Sequence, residues 1–460
     1  MKRESFGSRL GFILVSAGCA IGIGNVWKFP YICGAYGGAA FILIYLLFLI
    51  ILGIPVLVCE FAVGRGSRKS VALSFDELQP KNGKWAPLKF IGIIGCYMLM
   101  MFYTTVGGWL MYYCYKGIRG SFVKASSDNI STQFTQMLTD VPTMLFWTIL
   151  ICVIGFAVCM FGLNNGIERV TKVMMTALIL IMVVLAIRSV TMAGAGEGIR
   201  FYLIPDFHKM VESGIGNVVF AALSQAFFTL SIGIGAMLIF GSYLDQSRSL
   251  TGEAVNIMLL DTFVALTAGF IIIPACFSYG IEPGAGPSLI FITLPNIFAQ
   301  MSAGRIWAFL FFLFLTFAAL STIIAVFENL VMFNMELLGW RRKKSVLVCA
   351  ALIIILSIPC VLGFNVWSGV QLLGEGSTIM DLEDFIVSNN LLPLGSLGYV
   401  LFCTRKNGWG WDAFIKEVNT GSGMKFPKTL RGYVSYGIPA IIIVIYLKGY
   451  YDKFKDMGTG

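Results

Sequence analysis

The chain has 460 residues, of which 57% are hydrophobic, 14% aromatic and only 12% charged, and its mean hydropathy is +0.83. A soluble domain carries roughly 25% charged residues, so a soluble enzyme, a nucleic-acid binder and a disordered scaffold are all excluded. The length is therefore read in membrane spans of about 20 residues each, and the formal charge of +9 follows the membrane rather than marking a nucleic-acid surface.

The first apolar run, 10–33, continues from Leu10 straight into the stretch CAIGIGN at 19–25, so no cleavable leader is expected. Each glycine inside a helix costs about 1 kcal/mol relative to alanine. Lipid cannot satisfy loosened backbone, so a break at this depth must face protein or a water-lined cavity. Run 39–63 contains Glu60, a carboxylate that demands a partner in so apolar a setting. Runs 88–116, 143–163 and 170–192 follow. The sixth run, 215–243, contains LSIGIGA at 230–236, which repeats the pentad small-Ile-Gly-Ile-Gly of Ala20–Gly24 at Ser231–Gly235. Close helix packing explains one such pentad. Two of them, five spans apart, are the pattern of an inverted repeat whose binding site lies where the breaks meet.

Runs 254–280, 306–338, 346–363, 383–404 and 434–450 complete the eleven. All are continuous rather than alternating, which excludes a β-barrel. The expected fold is an all-α polytopic membrane protein of about 11 helices, a 5+5 inverted repeat with helices 1 and 6 broken. Residues 1–192 form the first repeat, 193–404 the second, and 405–460 a cytoplasmic loop plus the last span. Most Lys and Arg residues collect on one side, decisively as RRKK at 341–344. The positive-inside rule then puts the N-terminus in the cytoplasm and the C-terminus outside. Eleven cysteines are scattered through apolar runs without CxxC spacing, and His208 is the single histidine. Zinc or haem binding is not expected, and His208 is read as solvated.

The stretch RLGFILVSAGCAIGIGNVWKFPY at 9–31 resembles the first span of the neurotransmitter:sodium symporters, in particular their bacterial amino-acid transporters with the leucine-transporter fold. The resemblance continues through GIPVLVCEFAVGR (53–65), FFTLSIGIGAM (227–237), LLDTFVALTAGF (259–270), AALSTIIAVFE (318–328) and LEDFIVSNNLLPLG (382–395). It implies two sodium sites, of which one or both are used. The first comprises Ala20, Asn25, Thr229 and Asp261, completed by the substrate carboxylate. The second comprises Gly18, Ile21, Ala318, Ser321 and Thr322. Hard cations take oxygen ligands, and positions 318, 321 and 322 share one helix face. Hydroxyls bonded to their own turn are the alternative there. Asp261 stands where the best-known bacterial pattern has asparagine; its fixed charge implies that no chloride is needed. A proton-relay or paired carboxylate is the alternative for Asp261.

The resemblance further implies a substrate pocket of Ala20, Gly22, Gly24, Leu99, Tyr103, Phe228, Thr229, Ser231, Ile234, Thr322 and Val326. Backbone N–H groups around Gly22 and Gly24 would receive a carboxylate. Monoamine transporters carry an aspartate where Gly22 stands, so the substrate should bring its own carboxylate. Because the compartment holds no charge, a hydrophobic or aromatic L-amino acid is expected. Lys28, Asp384 and Phe228 match an outer gate; Arg3, Glu336 and Tyr243 match an inner one, with ordinary rim ion pairs as the alternative. Glu60 is read as a cap on the sixth-span break, and Glu328 is left without a role. The implied function is sodium-coupled amino-acid symport by alternating access in a bacterial inner membrane. The alternatives are an amino-acid sensor or a proton-coupled transporter on the same scaffold; no catalytic constellation, nucleic-acid partner or oligomeric state is indicated.

Overall fold

The computed structural model describes residues 4–281 and 288–458, with side chains as far as Tyr451. Within them the eleven apolar runs are all helical. The first is a bent pair, α1 (Arg9–Ala20) and α2 (Gly24–Ala35), whose axes meet at 58°. Four unbroken spans follow: α3 (Ala39–Ser67), α4 (Leu88–Arg119), α5 (Val141–Met160) and α6 (Leu163–Val190). The sixth run is again two pieces, α7 (Ile215–Thr229) and α8 (Ala236–Ser242). Then come α9 (Leu250–Ser278), α10 (Gly304–Leu338), α11 (Arg342–Leu362), α12 (Ile379–Thr404), a short polar-loop helix α13 (Trp411–Val418), and α14 (Lys428–Tyr451).

Burial sorts these spans into a centre and a periphery. In α10, 78% of the most apolar window is buried inside the protein, against 33–39% in α5, α6, α11 and α14. A peripheral span that exposes most of an apolar surface needs lipid as its solvent. The central α10 packs along α4, α1, α5 and α6, and α8 lies on α3. All eleven cysteines are buried and unbridged, as small apolar residues would be. His208 lies exposed on a short helix between α6 and α7.

Proline explains most of the irregularity within the spans. Of the six π-turns among the described residues, those ending at Lys28, Gly53, Thr293, Leu391 and Gly437 each precede a proline by two positions: Pro30, Pro55, Pro295, Pro393 and Pro439. Proline has no N–H for the carbonyl four residues back and clashes with it, so the helix widens by one residue there. At Pro55 the freed carbonyl is that of Ile51, and the Tyr433 hydroxyl donates to it at 2.8 Å.

The C-terminal end of α3 is bolted to two other segments by a fully buried arginine. Arg65 Nε donates to Glu417 Oε1 of α13 at 2.6 Å, and Nη1 donates to the Arg248 carbonyl at 2.6 Å. Beside it the connector before α9 pairs with the loop after α13: Ser249 N–H donates to Ser422 O at 2.9 Å and Ser422 N–H to Ser247 O at 2.8 Å.

Candidate functional site

Both pentads break their helices, though by different geometry. Helix α1 stops at Ala20 because Ile21 takes extended backbone, φ −69° and ψ 97°. In the sixth span the chain passes through left-handed backbone at Ser231 (φ 50°), Gly233 (φ 101°) and Gly235 (φ 75°) before α8 begins. Glycine adopts this conformation freely, whereas a left-handed serine costs roughly 1 kcal/mol. Ser231 is held there by its hydroxyl, which donates to the Cys19 carbonyl in the other break at 3.1 Å. Glu60 from α3 accepts the Gly233 N–H, so the buried carboxylate caps the second break, the role the resemblance implied. A further tie, absent from the sequence reading, is Gln225 Nε2 donating to the Gly24 carbonyl at 3.1 Å.

Next to the breaks, Asn25, Thr229 and Asp261 form one buried polar cluster. Asn25 Nδ2 donates to Thr229 Oγ1 at 2.9 Å and to Asp261 Oδ1 at 2.8 Å, and Thr229 Oγ1 donates to Asp261 Oδ2 at 2.9 Å. Asn25 Oδ1 meanwhile accepts the Gly22 N–H at 3.2 Å. Both Asp261 oxygens thus face neutral groups, and no second carboxylate bonds to them among the described residues. Thr229 and Asp261 offer hard oxygens of the kind that suits an alkali cation, while Asn25 turns its Nδ2 toward them.

A second cluster joins α10 to the frayed end of α1. Thr322 Oγ1 lies 3.3 Å from each of the carbonyl oxygens of Gly18, Cys19 and Ile21. Ser321 Oγ lies 3.4 Å from the Ile21 carbonyl and 2.9 Å from that of Ala318. The last carbonyls of a helix have no intrahelical donor, and here two hydroxyls meet them. Gly18 makes the approach possible, since a Cβ there would sit 3.2 Å from Ser321 Cβ. Gly18, Ile21, Ser321 and Thr322 thus meet across the two helices, whereas Ala318 is met by Ser321 from its own turn, the bonding weighed as the alternative.

Between the clusters lies a cavity lined by Ala20, Gly22, Gly24, Leu99, Tyr103, Phe228, Ser231, Ile234 and Thr322, each expected, and by Leu392, which was not. Two expected residues are not in the lining. The Thr229 side chain is turned to Asp261 instead, and Val326, one turn on from Thr322, is fully buried. The Tyr103 hydroxyl accepts the Ile23 N–H at 2.9 Å, which puts it on the backbone freed by the first break. Among the described residues no charged side chain lines this cavity. Next to it opens a vestibule of ≈ 310 Å³, which shares with it Gly24, Tyr103 and the Phe228 ring. Over that ring sits Lys28 Nζ, 4.3 Å from the centroid, with Asp384 Oδ2 at 4.0 Å.

The expected inner-gate grouping is only partly described, because Arg3 lies outside the described residues. Glu336 accepts from Ser70 N–H and Oγ, both at 2.7 Å. Tyr243 donates to Glu328 Oε1 at 2.8 Å. Glu328, left without a role by the sequence, is gripped by both guanidinium arms of Arg342 at 2.8 and 3.0 Å, with Glu4 at 3.7 Å from the same arginine. Arg342 belongs to the RRKK run, which as a sequence speaks only of topology.

The sequence pattern of the sodium:neurotransmitter symporter family matches residues 3–132 and 125–451. The chain is 35% identical over 448 residues to the sodium-dependent transporter YhdH of Bacillus subtilis, covering 97% of each. It is 30% identical to the sodium-dependent serotonin transporter of Drosophila melanogaster, covering 97% of this chain and 76% of that one. The crystal structure of MhsT in complex with L-phenylalanine superposes with a TM-score of 0.88 at 35% identity, covering 97% of this chain and all of that one.

Proposed function

The chain belongs to the sodium:neurotransmitter symporter family, and from that premise we propose that this sodium-dependent multi-pass transporter imports a hydrophobic or aromatic L-amino acid by alternating access, without chloride. The observation that carries the reading is the charge-free cavity flanked by two oxygen clusters on broken backbone. Sodium is cargo in this scheme. At the first cluster it takes oxygens of Ala20, Asn25, Thr229 and Asp261, and turning the Asn25 amide brings Oδ1 to the ion in place of Nδ2. At the second it takes Gly18, Ile21, Ala318, Ser321 and Thr322, whose hydroxyls present lone pairs once their protons point away.

The substrate carboxylate completes the first cluster and meets the N–H groups after the first break and the Tyr103 hydroxyl, where the helix dipole favours an anion. Carbonyls freed near Ala20 and Phe228, with Ser231 Oγ, receive the ammonium. MhsT, bound to L-phenylalanine in its structure, supports an amino acid of this class. The Asp261 carboxylate supplies a fixed charge 2.9 Å from Thr229, which removes the need for a halide. Lys28, Asp384 and Phe228 close the outer path, and Arg3, Glu336 and Tyr243 the inner. Exposed pairs are worth ~0–1 kcal/mol, weak enough to break once per cycle. The two halves, 1–192 and 193–404, act as inverted repeats with the N-terminus cytoplasmic in a bacterial inner membrane, and the work is transport without chemical conversion.

Proteoliposomes tested with twenty labelled amino acids under an inward sodium gradient check this directly. Uptake of leucine-, phenylalanine- or tryptophan-like substrates is expected, undiminished when gluconate replaces chloride. Loss in gluconate would remove the halide-free reading, uptake surviving replacement of sodium by potassium would point to proton coupling, and binding without accumulation to a sensor.

A further inference from the structure

Three spans meet where a substrate side chain would lie: Leu99 comes from α4, Ile234 from the sixth-span break and Leu392 from α12. Helix α4 reaches this point through two glycines. A Cβ on Gly92 would lie 3.1 Å from the Ile234 carbonyl oxygen, and one on Gly95 would lie 2.5 Å from Ile234 Cγ2. The cavity so enclosed has a volume of ≈ 20 Å³, about the room of one water. Any side chain that enters must therefore displace part of its wall.

The three walls differ in what holds them. Leu99 sits inside a 32-residue helix with ladder bonds on both sides. Ile234 lies between two left-handed glycines, the first of which is capped by Glu60. Leu392 instead follows directly on the π-turn Val387–Leu391 and precedes Pro393, so the ladder is already open beneath it. π-Turns of this kind recur where a helix must adjust at a functional site. The backbone there also abuts the second break: a Cβ on Gly233 would meet Ser396 Oγ at 2.9 Å and would strike the Leu392 carbonyl.

We infer that Leu392 is a specificity-determining residue that sets the largest substrate side chain the site accepts, a role which rests on the amino-acid reading above. The tenth span then grades substrates, and Val326, outside the lining, does not. The test is competition by valine, leucine, phenylalanine and tryptophan against a labelled substrate in sodium, using wild type, Leu392→Ala, Leu392→Phe and Val326→Ala. Leu392→Ala is expected to shift the tryptophan-to-valine preference about tenfold toward tryptophan, Leu392→Phe to shift it the other way, and Val326→Ala to leave it within twofold.

Sodium-dependent thermal stabilisation of each variant reports an intact fold independently of amino-acid binding. An unchanged preference in both Leu392 variants, a larger shift in Val326→Ala, or loss of all binding by stably folded Leu392 variants would overturn the inference. If Leu392→Ala does not fold, the reversed preference of Leu392→Phe decides alone. Absence of amino-acid binding by the wild type would instead sink the underlying amino-acid reading, so the two failures are distinct.

Discussion

At the scale of single residues, the site depends on side chains that are missing as much as on those present. A Cβ on Gly22 would come 2.8 Å from Thr322 Oγ1 and closer still to the Tyr103 hydroxyl. Both oxygens are anchored, Thr322 on the α1 carbonyls and Tyr103 on the Ile23 N–H, so neither can simply step aside. Gly22→Ala is expected to reduce sodium-dependent substrate binding by more than a hundredfold while the protein still folds. Gly216, inside α7, has nothing within 4 Å of its would-be Cβ. Gly216→Ala should leave binding unchanged and raise stability by up to about 1 kcal/mol through helix propensity. Equilibrium binding and thermal melts of the two variants side by side would check the contrast.

At the scale of elements, the breaks are held open by a few identifiable bonds rather than by loose chain. Ser231 illustrates the balance. Its left-handed backbone costs roughly 1 kcal/mol, and the hydrogen bond to the Cys19 carbonyl returns about 0.5–1.5 kcal/mol. Ser231→Gly should therefore change stability little, since strain and bond disappear together. Ser231→Ala keeps the strain and loses the bond, and is expected to be destabilised by about 1 kcal/mol. Denaturation of the purified variants tests the order; equal losses for both would show that the strain is not real. The ion pairs obey a different logic: Arg65 is fully buried with Glu417 and the Arg248 carbonyl around it, whereas the Lys28–Asp384 pair is partly exposed at 4.0 Å. Under the proposed mechanism the former persists through the cycle and the latter parts.

At the scale of the whole molecule, central α10 and the two breaks it faces form one polar seam inside a shell of lipid-facing spans. Under the proposed mechanism each sodium that crosses with a zwitterion carries one charge through the membrane field, about 2.3 kcal/mol per 100 mV. At 1.4 kcal/mol per tenfold, 100 mV should raise the limiting accumulation ratio roughly fortyfold for each sodium. Proteoliposomes clamped by potassium diffusion potentials would show one such factor or its square, and a ratio indifferent to potential would contradict sodium-coupled import of a neutral substrate.

What could be read from the amino-acid order was whatever is local or periodic. The length of each apolar run sets a span, the paired pentads mark two breaks, and Glu60 in an apolar run announces a partner. The motifs around Asn25, Asp261 and Ser321–Thr322 took their expected roles from resemblance to a family, because each is a short contiguous stretch that can be matched as such. Leu392, Gln225 and the Arg342–Glu328 pair were invisible for the opposite reason. Their meaning lies in contacts between helices distant in the chain, and a leucine beside a proline or an arginine in a basic run carries no local mark of what it will touch. Hydrophobic thickness and backbone strain act within a segment and so are written in it. Which side chain closes a cavity is set by how whole helices cross, and only the folded molecule decides that.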